Sequence, residues 1–200
     1  IFGTMMKVDL EELEKKCAEF KELEKRGILY PMFLNMIEKG FEIEAMLFIL
    51  STWNFATFRY AIKTFDIGGF KEVVHKCKPI FDKLENQTFE KTNFDEIQED
   101  IKNIYNNLSA IKGIKYTGTP KLMHLKNPRL FVMWDSYIKR KYGCKKGTAE
   151  VFIGFLKQMQ IMFGDLKWEK KEKTLAKAID EYNYLTITME EMNKKKNINK

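Results

Sequence analysis

Residues 108–140 read LSAIKGIKYTGTPKLMHLKNPRLFVMWDSYIKR. Leu108 and Ile111 complete one apolar helical stripe, and Gly113 permits the tight turn that follows. Gly118 precedes Thr119, Pro120 and Lys121 at the expected start of the next helix, where proline suits the first position. A helix, a glycine hairpin and a second helix converge backbone N–H groups on one point. Such a point holds a phosphate without reading base sequence. Lys112, Lys115 and Lys121 would add charge-assisted contacts to it. The second helix is expected to run to Lys126, where Asn127-Pro128 breaks it. Asp135 or Ser136 then opens another, which ends at Gly143.

Charge points the same way. Residues 1–100 carry 14 basic and 19 acidic side chains, a balance of −5; residues 101–200 carry 21 and 9, a balance of +12. Between Lys112 and Lys146 stand ten basic residues and one acid, Asp135. Asymmetry of this kind marks a polyanionic partner, and the one expected is nucleic acid, foremost double-stranded DNA. A solvated, lysine-rich surface is the plain alternative.

The 200 residues are 44% hydrophobic and 14% aromatic, too apolar for wholesale disorder and enough for a real core. Four prolines and 11 glycines exclude collagen-like or low-complexity character. Cys17, Cys77 and Cys144 are widely spaced and odd in number. They exclude a disulfide framework or a CxxC zinc module, and they fit a reducing cytoplasm. With His75 and His124 alone, no histidine metal site is expected, nor any other cofactor. No apolar run approaches the roughly 20 residues of a membrane helix, and no signal peptide is visible, so no membrane partner is expected. Ile1-Phe2-Gly3-Thr4, ahead of Met5-Met6, reads as a tag remnant or a clipped start.

Further out, Asp9 caps a first helix with Glu12 three residues on. Leu10, Leu13, Cys17, Phe20 and Leu23 then recur at helical spacing as far as Gly27. A second short helix lies between Pro31 and Gly40. Residues 41–65 are apolar all round and predict a central helix or helix pair, with Ser51-Thr52 as a break. Gly68-Gly69 predicts a stop. Lys71 to Leu84 predicts a helix that Pro79 shortens or kinks, and Asn93 or Thr92 a cap for Phe94 to Leu108. Thr148 to Phe163 and Leu166 to Tyr184 are amphipathic. Only Leu130–Met133 alternates like a strand. The expected class is all-α, a monomer with one domain over residues 5–190 or two lobes sharing a core. Residues 191–200 read as a basic flexible tail.

These residues resemble the helix-hairpin-helix DNA glycosylase superfamily, the endonuclease III and 8-oxoguanine glycosylase group. There a Gly-(Val/Ile)-Gly hairpin leads into a helix that carries a lysine in bifunctional members. A Pro/Val-rich stretch follows, then an aspartate before another helix. The matching positions here are Gly113, Ile114 and Gly118 for the hairpin, Lys121 for the lysine and Asp135 for the aspartate, with Asn127 to Trp134 between. Upstream, Glu42 to Thr57, with Ile49-Leu50-Ser51, is similar to the family helix that ends in a leucine-serine pair. Phe94 to Leu108 stands where the pre-hairpin helix belongs, so the likeness covers residues 41–143. Lys115-Tyr116-Thr117 stand before the second glycine, and Lys112 replaces the usual proline. Lys121 and Asp135 are 14 positions apart, closer than in the family by one helical turn. No four-cysteine cluster follows, which excludes an iron–sulfur cluster.

The resemblance implies a base-excision DNA N-glycosylase, a hydrolase, with AP-lyase activity. Glycosidic cleavage passes through an oxocarbenium-like state that a fixed carboxylate stabilises, and Asp135 among cations should stay ionised. The Lys121 amine would attack the sugar C1′ and form a Schiff base, helped by desolvation and neighbouring cations. The flipped base needs an aromatic or apolar wall, for which Trp53, Phe55, Phe58, Tyr116, His124 and Trp134 are candidates. DNA contacts fall to Lys112, Gly113, Lys115, Gly118, Thr119, Arg129, Lys139 and Arg140. Each residue also has a plainer reading. Asp135 suits a helix N-cap, Lys121 a phosphate contact or a surface lysine, and Trp53 and Trp134 the core. His124, one turn after Lys121, suits a buried hydrogen-bonded histidine. Cys144, beside Lys145 and Lys146, suits a thiol of lowered pKa. Two other functions use the same features: a non-catalytic DNA- or RNA-binding helical protein on the same frame, and a protein-interaction module docking through the acidic first half.

Overall fold

The structure, a computed structural model, describes residues 7–198, so the tag-like residues 1–4 lie outside it. The described residues are all-helical with no strand. Leu130–Met133 is buried but pairs with no strand, its chain leading from Asn127 to Asp135 without regular structure beyond a turn.

Helix α1 (Leu10–Leu23) begins where Asp9 accepts a hydrogen bond from the Glu12 N–H at 2.7 Å, and it buries Leu13, Cys17 and Phe20. Helix α2 (Leu29–Glu38) leads to α3 (Glu42–Trp53) and the single turn α4 (Phe55–Phe58). Ser51 and Thr52 do not break α3, because their hydroxyls bond back to the carbonyls of Leu47 and Phe48. The break falls at Asn54. Nor do Gly68-Gly69 stop a helix: they form the first turn of α5 (Ile67–Lys83). Asp66 caps that turn through Gly69 N–H at 2.9 Å, and a Cβ at Gly69 would lie 2.5 Å from the capping carboxylate. Helix α5 runs through Pro79.

Helix α6 (Gln98–Ser109) starts four residues later than its apolar stripe, because Asn93 takes the Asp95 N–H at 3.1 Å and forms a local turn. The stripe itself is all buried: Phe94, Ile97, Ile101, Ile104, Tyr105 and Leu108. Helix α7 (Lys115–Lys126) begins five residues ahead of expectation, so Gly118 and Pro120 lie inside it. A proline there leaves the carbonyl four residues back without its N–H partner. That carbonyl, on Tyr116, instead accepts the Trp134 indole N–H at 2.8 Å. Gly118 is needed for approach, since a Cβ would lie 2.9–3.0 Å from Asn54 and Leu50, the α3 side of the contact.

The remaining elements are α8 (Ser136–Lys141), α9 (Ala149–Phe163), α10 (Leu175–Asn183), a π-helical segment Tyr184–Met189 and α11 (Glu190–Ile198). The single amphipathic helix expected from Leu166 starts nine residues later, at Leu175. There Thr174 caps it, and the Trp168 indole is tied to the Lys173 carbonyl. Of residues 191–200, read as a flexible tail, 191–198 are helical within α11 but bury no side chain, and 199–200 lie outside the described residues. One hydrophobic cluster draws on elements from α1 to the π segment, and Trp134, Phe152 and Phe155 pack ring to ring within it. Helix α1 packs on α10, joining segments about 160 positions apart in sequence. Among the described residues no helix is long and apolar enough to cross a membrane.

Gly113 has φ +97, and its missing Cβ would lie 2.4 Å from the Ala61 Cβ; Gly143 has φ +71 and open space around it. Gly113→Ala should therefore destabilise more than Gly143→Ala, whose backbone strain alone costs about 1–3 kcal/mol. Thermal unfolding of the two variants tests the order, each kcal/mol moving the midpoint by about 2–4 °C.

Candidate active site

Lys121 projects from α7 and Asp135 caps α8, and both line one cavity of about 80 Å³. Its other walls are Phe20, Trp53, Met133, Trp134 and Ile138, with Lys177 and Asp180 from α10 and a rim of Glu24, Arg26 and Tyr184. The Lys121 ammonium is 7% exposed with its side chain and donates to the Thr117 carbonyl at 2.9 Å and the Trp134 carbonyl at 3.4 Å. Burial pulls its pKa below the ordinary lysine value, against the opposing pull of Asp135 and Asp180. A lowered pKa supplies neutral amine, the form that is nucleophilic.

Asp135 is held at both oxygens. Oδ1 accepts from the N–H groups of Tyr137 and Ile138 at 2.7 and 2.9 Å, which is the N-cap of α8. Oδ2 accepts from the Thr188 hydroxyl at 2.6 Å. Thr188 lies in the π-helical segment, a distortion often found at functional sites. Lys177, 1% exposed, pairs with Asp180 at 2.7 Å. Burial pulls its pKa down, but Asp180 and Glu181 outweigh this and leave it raised, hence cationic. At the rim Arg26 binds Glu24 through two nitrogens at 2.7 and 2.9 Å, and the Tyr184 hydroxyl donates to Glu24 at 2.7 Å. The Arg26 contact leads in holding the Glu24 carboxyl down at about 2.

Of the residues expected from sequence at the base wall, Trp53 and Trp134 line the cavity. Phe55, Phe58, Tyr116 and His124 do not. Tyr116 stands at the surface with its ring against Gly147 and below the Lys139 ammonium. His124 is wholly buried between the Tyr30 hydroxyl (2.8 Å from Nε2) and the Phe131 carbonyl (2.6 Å from Nδ1). Burial lowers its pKa to about 4, so the neutral ring donates from Nδ1 and accepts from Tyr30. Cys144 is no activated thiol, because burial pushes its pKa up.

The expected DNA contacts divide likewise. Lys112, Lys115, Arg129 and Arg140 are exposed. Gly118 and Thr119 are buried inside α7, and the Lys139 ammonium is committed to the carbonyls of Cys144 and Lys145 at 2.5 and 2.9 Å. Gly113 is buried as well, so none of these four presents a free side chain at the surface. Arg129 stands apart from the hairpin, against the Thr88–Lys91 turn and residues 166–175. Lys112, Lys115, Lys145 and Lys146 are exposed, and Gly147, next to Lys146, packs on Tyr116, next to Lys115. Arg140 and Lys195 both lie over the Tyr137 ring, at 5.2 and 4.9 Å. Lys177, Asp180, Thr188 and the Glu24–Arg26–Tyr184 rim escape sequence reasoning. Only Lys177 leaves a trace, as a lysine set among Leu175, Ala176, Ala178 and Ile179 on an apolar face. Among the described residues no group of His, Cys, Asp or Glu is arranged to hold a metal ion.

His124 carries a stability signature. Its folded pKa of about 4 lies below the ordinary 6.5, so the unfolded chain takes up a proton first as pH falls. Stability is full above 6.5 and is lost down to about 4, at no more than about 1.4 kcal/mol per pH unit. Glu24 contributes only below 4.5, its ordinary value. Denaturant unfolding at pH 6.5 and 4.5 should therefore fall for the native chain and flatten for His124→Gln. Compared with known proteins, the chain matches no family model, no curated protein and no solved structure.

Proposed function

We propose that this protein binds double-stranded DNA through its hairpin and excises a base in the cavity beneath, as a helix-hairpin-helix DNA glycosylase with lyase capability. One observation carries the reading: the lysine after the hairpin and the aspartate before the next helix line the same cavity, with the amine desolvated and the carboxylate fixed. The hairpin adds support. Gly113 and Lys115 both hold left-handed backbone, φ +97 and φ 51, with Ile114 between them. The second position of the Gly-(Val/Ile)-Gly pattern thus falls on Lys115 rather than on Gly118. The N-terminal turn of α7 and the exposed Lys112 and Lys115 beside it suit a phosphate backbone.

In this reading the neutral Lys121 nitrogen bonds to the sugar C1′ as the C1′–N bond breaks, its electron pair leaving with the base. An amine proton passes to the departing base, and opening of the sugar ring yields the Schiff base. Asp135 stabilises the positive charge that develops at C1′. Thr188 holds that carboxylate in place.

A second reading is a DNA-binding frame without chemistry. It is favoured by the same atoms: Asp135 is fully used as a cap and by Thr188, and the Lys121 ammonium is tied to two carbonyls. A cleavage assay separates the two. Duplexes carrying 8-oxoguanine, uracil, hypoxanthine or an abasic site are incubated with the protein, with borohydride trapping in parallel. Excision predicts base release that Asp135→Asn abolishes and a trapped adduct that Lys121→Ala abolishes. Duplex binding without release by any variant supports the second reading.

Two further outcomes belong to the excision reading. Thr188→Val should slow release by about 10–100-fold, the worth of a hydrogen bond to a charged group, and Thr188→Ser should restore it. Lys112→Glu with Lys115→Glu should weaken duplex binding and flatten its fall between about 50 and 200 mM salt.

A further inference from the structure

Arg129 stands in the stretch that connects α7 to α8, with a chain segment tied to the backbone on either side of it. The Phe89 N–H donates to the Arg129 carbonyl at 2.8 Å, which anchors the Thr88–Lys91 turn. The Thr174 hydroxyl donates to the Pro128 carbonyl at 2.6 Å, which anchors residues 166–174. That second segment is closed on itself by the Trp168 indole N–H, bonded to the Lys173 carbonyl at 2.7 Å. The two segments wall a cleft of about 550 Å³, against about 80 Å³ for the cavity that holds Lys121.

Six cations line this cleft against two carboxylates, Glu90 and Glu169. Two of the six are already paired, Lys170 with Glu14 at 2.9 Å and Lys173 with Glu181. The other four, Lys91, Arg129, Lys167 and Lys171, are exposed and have no carboxylate partner among the described residues. Set against the two carboxylates, they leave the cleft positive. Trp168 is half-buried, packed against the core on one side and lining the cleft on the other. A positive groove with an aromatic platform is the arrangement that holds single-stranded nucleic acid, its phosphates on the cations and a base on the ring. A volume of this order takes in a nucleotide or two. It is too small for a duplex, whose bases already stack on one another.

We propose that the Arg129 cleft binds single-stranded DNA, as a second nucleic-acid site apart from the hairpin. Arg129, Lys91, Lys167 and Lys171 take the phosphates, and Trp168 stacks on a base. That the strand is DNA rests on the reading under Proposed function; that it is single rests on the cleft.

Fluorescence anisotropy tests it with a labelled oligo(dT) of about 12 nucleotides, a blunt duplex of the same length, and polyglutamate as a competing polyanion. The native chain should bind oligo(dT), and polyglutamate should displace it less well than unlabelled oligo(dT) does at equal charge. Lys167→Gln with Lys171→Gln removes two exposed charges and no contact among the described residues, so the fold should stand. The pair should weaken oligo(dT) binding by about tenfold or more and flatten its log–log salt dependence by about 1.4, at about 0.7 per contact, while duplex binding stays within about twofold. Lys112→Glu with Lys115→Glu should weaken duplex binding and spare oligo(dT). Equal displacement by polyglutamate overturns the proposal. So does oligo(dT) binding that survives the cleft variant or falls with the hairpin variant, and so does a cleft variant that loses duplex and oligo(dT) in the same proportion. Duplex binding without oligo(dT) binding overturns it and leaves the reading of the hairpin standing. Oligo(dT) binding without duplex binding upholds it and sinks that reading, and absence of both sinks both.

Discussion

The hydrogen bond from the Trp134 indole to the Tyr116 carbonyl holds the site together. Pro120 leaves that carbonyl unsatisfied inside α7, and an unpaired buried carbonyl is costly. Trp134 answers it from the connecting stretch, and its ring is then clamped by Phe152 and Phe155 of α9. Asp135 is the next residue, so the bond fixes where α8 begins. Lys121 reinforces the same junction by donating to carbonyls on both partners, Thr117 in α7 and Trp134 in the stretch. Hairpin, lysine and aspartate are thus one rigid assembly whose keystone is a proline defect and the side chain that repairs it.

Electrostatics in the cavity follow from burial and pairing. Burial pulls the Lys121 pKa down against the opposing pull of Asp135 and Asp180, while Lys177, equally buried, stays charged because Asp180 touches it. Two lysines in one space are thus shifted in opposite directions. The π-helical segment serves this division. It turns the Tyr184 hydroxyl to the rim at Glu24 and, one turn on, the Thr188 hydroxyl to Asp135.

Local chemistry was legible in the sequence, and tertiary compensation was not. Asp9 and Asp135 are caps as their spacing foretells, and the 94–108 stripe is buried residue for residue. Pro120 misleads as to where α7 begins, because its repair comes from a tryptophan 14 positions away that no local rule links to it. Gly68-Gly69 misleads because glycine at a helix start can serve a close-fitting cap as well as a stop. Half of the cavity lining comes from α1, α10 and the residues just beyond them, Phe20, Glu24, Arg26, Lys177, Asp180 and Tyr184, whose pairing is a matter of packing rather than of motif. Lys121 and Asp135 were visible because they follow a hairpin pattern; Lys177, Asp180 and Thr188 follow none.

The packing of α1 on α10 bears on how the site comes into being. Phe20, Glu24 and Arg26 are synthesised well before Tyr184, which is bonded to Glu24 across 160 positions. Contacts of such separation form late, since the long loop between them must first close. A chain made only as far as α8 holds the hairpin, Lys121 and Asp135 yet lacks the walls that Lys177, Asp180 and Tyr184 supply. The cavity is closed only by the later-made α10 and π-helical segment, so a nascent molecule carries the exposed lysines of the hairpin before it has an enclosed space beside them.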